Sequence, residues 1–252
     1  TKGYLAAIHA ELNRELLVEF LGRTRGMTPE RAAERVAPVR LEQRYLFNQA
    51  LESDWSMASG LMMLVLMVSP PFLTALGVVR EKESGSIYNI YASTVTCGEF
   101  ILGKLIPYVG VSCFNILVLW WVATRVFGAP FKGDPLFFYL ASVVYVICTA
   151  GIGLLVSILV RTQVAAVLLT MVITFIPSML YSGLLVPVES MSREAQLQAH
   201  LFPPFWYLQI AWGSFLKGLG WERLWSQTAL LAGYAAVLWT LGLSLFHKRP
   251  KR

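Results

Sequence analysis

Charge is scarce in this sequence. Only 14 % of its 252 residues are Asp, Glu, Lys or Arg, and 56 % are hydrophobic; ordinary soluble domains carry about 25 % charged residues. That deficit excludes a typical soluble enzyme or binding module and points to a chain built for a bilayer. Cysteine is nearly absent too. Cys97, Cys113 and Cys148 stand far apart with no CxxC or Cys/His spacing, which argues against a disulfide framework or a structural metal. His9, His200 and His247 all fall outside the long apolar runs. No HExxH, no GxSxG and no paired intramembrane carboxylates occur, so the usual hydrolase signatures are missing. The phosphate-cradling GxxxxGK[ST] is missing as well, so the sequence carries no standard ATP site of its own. No signal peptide opens it, and its first residue is Thr1.

What is present is five apolar runs, at 57–79, 100–122, 136–160, 164–185 and 225–246. Each is long enough to cross a hydrocarbon core of about 30 Å, which takes roughly 20 helical residues. Their interiors hold Asn115 and some Ser and Thr, while Lys104 lies one turn in from an end, where it can snorkel. Without a mid-span ionisable group, proton- or sodium-coupled transport lacks its usual machinery, and a passive channel lacks a polar stripe. Pro70-Pro71 and Pro177 are expected to kink or break their helices. Thr149, Gly153 and Ser157 make a small-residue stripe, and Ala229 with Gly233 makes another. Such stripes permit close helix contact, within one chain or along a dimer seam.

Flanking charge sets an expected orientation. Placing the C-terminus in the cytosol puts eight Lys and Arg on that side, four of them in the final "KRPKR", against five in the opposite short loops. The positive-inside rule favours this arrangement. Residues 1–56 carry eight bases and eight acids; that balance says little of topology, and the segment is placed outside. It reads as soluble and partly helical. Leu12, Leu16, Leu17 and Phe20 share a face before a stop at Gly22, and Thr28 caps a helix opened by Pro29. Val39, Leu41 and Tyr45 then alternate like a short strand. The segment is too short for a sizeable core, so it is expected to pack on a neighbour.

Two connecting stretches stand out. In residues 187–224, "SMSREAQLQAHLF" reads as a short capped helix, and "PPFWYLQIAWGSFLKG" clusters Trp206, Tyr207, Trp212 and Phe215. Tryptophan and tyrosine favour the headgroup level, so this is a pair of short helices in the outer leaflet, either a gate or a plain aromatic belt. The other stretch is "VREKESGSIYNIY". Arg80, Glu81, Lys82 and Glu83 precede a turn in which Ser84 or Ser86 can cap a short helix bearing Ile87, Ile90, Tyr91 and Val95. Such an amphipathic helix can dock in a groove of a cytosolic protein; equally, it can be a solvated turn joining two spans.

"VREKESGSIYNIYASTVTCGEFILGKLIPY" resembles the segment after the second span of ABC-2 type permeases, where R-E-K-E-x-G-[ST] precedes a small helix and a P-V/T-x-x-E-x-[IL]-x-G-K-x-x-P motif. "YSGLLVPVESM" and "LFPPFWYLQI" resemble that family's fifth-span exit and the segment before its last span. The likeness covers about residues 40 to 246, with the motifs in family order. One departure is Thr94, where the family motif often has proline.

The resemblance implies an all-α membrane protein with an ABC-2 type (type V exporter-like) transmembrane domain. Family halves have six spans, so the first is expected to lie upstream of the five seen here. Residues 1–56 would then be the C-terminal part of an outer, periplasmic domain. Residues 57–252 would be the transmembrane domain, with a coupling helix at 80–96, an outer re-entrant hairpin at 187–218 and a basic cytosolic tail at 247–252. Coupling to an ATPase falls to Arg80, Glu81, Lys82, Glu83, Gly85, Ile87, Tyr88 and Tyr91. Pro187, Pro203, Pro204, Trp206 and Tyr207 fall in the outer gate. The implied activity is export of a hydrophobic or amphipathic substrate across a bacterial inner membrane. ATP and Mg²⁺ would sit on partner ABC nucleotide-binding domains, with no catalytic residue, metal or cofactor on this chain. Further implied partners are a second permease copy (homodimer or pseudo-dimer), a periplasmic adaptor protein and the lipid bilayer, with no specific nucleic acid. A narrower likeness, to the membrane domain of the ribosome-associated ABC ATPase, leaves an alternative: an anchor for that ATPase without transport.

Overall fold

The computed structural model describes residues 16, 19–21, 23, 28, 53–87 and 94–246. The chain divides into two compact units, Thr1–Leu46 and Phe47–Arg252. In the first, residues 16, 19–21 and 23 are helical, and Glu19 pairs with Arg23 at 2.6 Å. Arg23 is thus still helical one residue beyond the stop expected at Gly22. A lone glycine costs a helix only about 1 kcal/mol, and an ion pair one turn apart offsets part of that. Thr28 is non-helical, as an N-cap requires. The expected strand around Val39, Leu41 and Tyr45 lies outside the described residues.

Every regular element among the described residues of the second unit is a helix. In chain order it holds α1 (Ser53–Glu83), α2 (Cys97–Arg125), α3 (Pro135–Leu159), α4 (Gln163–Tyr181), α5 (Arg193–Leu201), α6 (Pro203–Trp212) and α7 (Trp221–Leu245). Five of these, α1 to α4 and α7, are long and apolar enough to cross a membrane. Their starts are set by local chemistry. Thr96 and Glu99 form a reciprocal capping box before α2, Asp134 accepts the Leu136 N–H at 2.9 Å before α3, and Thr162 accepts the Ala165 N–H before α4.

Burial separates the five into two classes. The apolar stretches of α1 and α3 are 67 % buried within the protein, against 17 %, 22 % and 17 % for α2, α4 and α7. So α1 and α3 make the core, and the other three present apolar flanks that only lipid or another apolar surface can cover.

The prolines interrupt none of these helices. α1 runs unbroken through Pro70 and Pro71, α2 through Pro107 and α4 through Pro177. The reason at Pro70 is visible. Proline has no N–H, so the carbonyl four residues back, on Leu66, loses its helical donor. The Thr149 hydroxyl of α3 donates to that carbonyl at 3.1 Å. Thr74 Oγ1 lies 3.0 Å from the Pro70 carbonyl and 3.1 Å from that of Ala150, across the same seam. Thr149, Gly153 and Ser157 are all buried here, so this stripe is an internal seam of the chain. Ala229 and Gly233, in contrast, are exposed on α7.

A mutational consequence follows at Thr149. Thr149→Val keeps the shape and removes the donor to Leu66, leaving a buried carbonyl short of a partner. Loss of about 1–2 kcal/mol is expected, read as a lower melting temperature of the solubilised protein, with Thr149→Ser retaining most of the native value. Equal melting of the valine variant would show that the proline-freed carbonyl needs no replacement donor.

Candidate functional site

One end of the bundle gathers the charges of the "REKE" stretch, which form the last turn of α1. Successive helical residues point about 100° apart, so three in a row on a central helix address three different neighbours. Glu81 accepts from Lys104 Nζ on α2 and from Ser86 Oγ in the turn after α1. Lys82 Nζ donates to the Ser157 carbonyl near the end of α3 and lies 5.8 Å from the Phe246 ring centroid beyond α7. Glu83 Oε2 accepts the Gln163 backbone N–H at 2.8 Å, so it satisfies an orphan donor at the start of α4. Arg80 is exposed and joins none of these bonds.

The turn that follows is built for this knot. Gly85 has φ +76°, a left-handed conformation that ends α1 and that a side chain would oppose. Its N–H donates back to the Lys82 carbonyl at 3.3 Å, and Ser84 N–H donates to that of Arg80 at 3.0 Å. Ile87 then folds inward, buried with Val78, Ile101, Leu105, Leu154 and Phe246.

The expected bounds of the coupling segment change accordingly. Residues 80–83 belong to the span helix, 94–96 are non-helical, and α2 begins at Cys97. Tyr88 and Tyr91 lie outside the described residues, as does the tail 247–252. Glu81, Lys82, Glu83 and Ile87 all have partners inside the chain. Sequence reading gave Lys104 to the membrane interface and missed its pairing with Glu81. It also missed Gln163, for which no local pattern signals a carboxylate 80 residues away. The capping role of Glu99 was legible in "TCGE".

The opposite end holds the hairpin. Pro187 is exposed and opens a short 3₁₀ turn at Val188–Ser190, α5 follows, and Pro203 and Pro204 start α6, where missing N–H groups cost nothing. α6 packs against α1, α3 and α7, with most of its residues buried. Tyr207 is fully buried, its ring stacked on Tyr145 at 4.1 Å and 3°, its hydroxyl 2.7 Å from Ser142 Oγ. Phe215 is fully buried too, edge-on to Phe131 at 5.0 Å and Phe138 at 5.4 Å. An aromatic belt is therefore the wrong description of these two residues: each found its partners on α3 or the loop before it.

Trp206 and Trp212 are half-buried anchors. Trp206 Nε1 donates to the His200 carbonyl at 3.0 Å, and Trp212 Nε1 to that of Ser56 on α1 at 3.2 Å. Beyond α6 a π-helical turn, Gly213–Lys217, ends at Gly218 with φ +66°. The Ser214 carbonyl in that turn accepts the N–H of Gly133 at 2.8 Å. This end thus offers an immobilised hairpin gripping α1 and α3. Among the described residues no group of His, Cys, Asp and Glu could hold a metal ion.

Among the described residues, five helices fit to span a membrane, with apolar flanks, tied charges at one end and a hairpin with one buried arm at the other, are those of a polytopic membrane protein. The model of the ABC-2 family transporter proteins matches residues 2–244, and the chain belongs to that family. Among curated proteins it is similar to the probable multidrug ABC transporter permease YbhS of Escherichia coli strain K12, 29 % identical over 71 % of this chain and 47 % of that one. It is also similar to YbhR of the same strain, 26 % identical over 82 % of this chain and 56 % of the relative. ABC transporter G family member 20 of Dictyostelium discoideum is 25 % identical over 54 % of this chain and 18 % of its own length. The chain spans about half the length of the E. coli relatives. No solved structure matches it. These relatives lend no support to the narrower likeness to the ribosome-associated ATPase.

Proposed function

We infer that this chain is the membrane half of an ATP-binding cassette exporter. It moves a hydrophobic or amphipathic substrate outward across a bacterial inner membrane while partner nucleotide-binding domains hydrolyse ATP with Mg²⁺. The observation that carries this reading is the knot at the end of α1. Glu81, Lys82 and Glu83 tie that helix to α2, α3 and α4. A push on the segment just after α1 therefore reaches four helices together, which a permease driven from outside the bilayer requires. The sequence's excess of Lys and Arg on the C-terminal side, four of them in the final "KRPKR", supports placing the end that holds Phe246 in the cytosol, with the hairpin outside. The spans carry no mid-helix charge to select ions, and the names of the E. coli relatives, multidrug permeases, point toward the same substrate class. A second permease copy and a periplasmic adaptor complete the proposed assembly.

The test is reconstitution of the protein with its cognate ABC ATPase in liposomes. ATP-dependent extrusion of a hydrophobic dye is expected, and dye-stimulated ATP hydrolysis with it. An ATPase that binds and hydrolyses with no flux of any amphipathic dye would leave an anchor and overturn the export reading.

A further inference from the structure

The hairpin end carries an open pocket of about 460 Å³ between the 3₁₀ turn, α6, the π-helical turn and the start of α7. Its polar lining has both signs of charge: Glu189 on one element, Lys217 and Arg223 on two others, with the Gln209 amide beside them. Leu208 and Leu224, both buried, line it too as an apolar floor. Trp221 and Trp225 are 61 % and 57 % exposed on the adjoining turns of α7. Exposed tryptophans on a span mark the headgroup level, so the pocket sits where lipid changes from polar to apolar.

A second feature continues it. Along α7 runs an open apolar groove lined by Trp225, Leu230, Gly233 and Val237, among others. Arg223, Gln227, Leu230 and Tyr234 succeed one another at helical spacings of four, three and four, so the Leu230 and Tyr234 edge of the groove continues the line of the pocket's Arg223 and Gln227. From Trp225 to Val237 the groove is about 18 Å long at 1.5 Å per residue, close to the roughly 15 Å of one leaflet's hydrocarbon. Nothing lies within 4 Å of a Cβ added at Gly233, so the groove has room for a chain.

We propose that the pocket and groove together bind one zwitterionic phospholipid of the adjacent leaflet. Its phosphate lies against Lys217 and Arg223, its ammonium against Glu189, and one acyl chain along α7. The pairing of charges selects among headgroups. A bare phosphate or a purely anionic headgroup meets the two cations but is repelled by Glu189, whereas a phosphate carrying its own ammonium satisfies all three. The proposal uses the export reading only to say which leaflet supplies the lipid; binding needs no ATPase, so the two stand or fall in separate assays.

The experiment is native mass spectrometry of the detergent-purified protein titrated with phosphatidylethanolamine and phosphatidylglycerol in competition. Native protein should retain phosphatidylethanolamine preferentially. Arg223→Gln should weaken that binding about tenfold, the loss of one charge-assisted contact. Glu189→Gln should erase the preference while keeping phosphatidylglycerol binding. Gly233→Phe should weaken lipid binding by filling the groove while leaving the charges in place. All three positions are exposed, and unchanged melting temperatures would confirm folding. The proposal is overturned if the three variants bind as native does. It is equally overturned if free phosphorylethanolamine competes as well as the whole lipid, making the pocket a site for a soluble zwitterion. Loss of self-association in Gly233→Phe with lipid binding intact would also overturn it, assigning the groove to a second copy.

Discussion

Gly153→Ala is expected to be the most damaging single-methyl change in the described bundle. A Cβ at this position would stand 1.9 Å from Thr74 Oγ1, 2.3 Å from the Pro71 carbonyl oxygen and 2.7 Å from Pro71 Cα. The hydroxyl can rotate, but the other two atoms are backbone of α1, so α1 and α3 must separate. Those two helices are the core, and their separation loosens every contact along the seam. Overpacking of this kind costs about 3 kcal/mol, which at roughly 2–4 °C per kcal/mol lowers the melting temperature by on the order of 10 °C. Gly233→Ala supplies the control, because open space surrounds that position in the interior of α7; it should melt at or slightly above the native protein, since alanine favours a helix over glycine by about 1 kcal/mol. If both variants melt alike, the close crossing of α1 and α3 is not what sets stability.

Glu81→Lys is expected to be the most damaging change at the charged end, and the informative experiment is the swap. The Glu81 and Lys104 side chains are 24 % and 29 % exposed, between the surface pairs that contribute under 1 kcal/mol and the buried ones whose rupture costs 3–5. Reversing one partner sets two ammonium groups together and should cost ~2 kcal/mol. ATP-driven flux should fall with it. Glu81→Lys combined with Lys104→Glu restores the pair, so stability should recover. If flux recovers too, Glu81 acts as a bracket between α1 and α2. Stability without flux would show that the carboxylate itself meets the ATPase. A Glu81→Lys variant with native melting would show that the pair holds nothing.

The sequence resolved what is local and failed where partners are distant. The five runs and the short helices in "SMSREAQLQAHLF" and "PPFWYLQIAWGSFLKG" all rest on spacing within one segment, and each lies where expected. The fan from Glu81, Lys82 and Glu83 could not be foreseen, because its partners Lys104, Ser157 and Gln163 lie 23, 75 and 80 residues away. The aromatics misled for a physical reason. An interface and a bundle interior both suit a ring with one satisfied polar atom, so Tyr207 reads alike in either until Ser142 and Tyr145 are seen beside it. At Pro70 a kink or a break is expected; the helix runs on unbroken, and a hydroxyl from α3 bonds the carbonyl that the proline left free.

That unbroken helix is 31 residues long, a rod of about 46 Å. Near its midpoint Pro71 and Thr74 bear on Gly153, one end is held by the Glu81 to Glu83 knot, and the other by Trp212 on Ser56. A rod pressed at its middle and gripped at both ends is a see-saw with a fulcrum. Tilting it by about 5° would carry each end about 2 Å, in opposite directions. The hairpin would then answer a movement at the charged end in reverse.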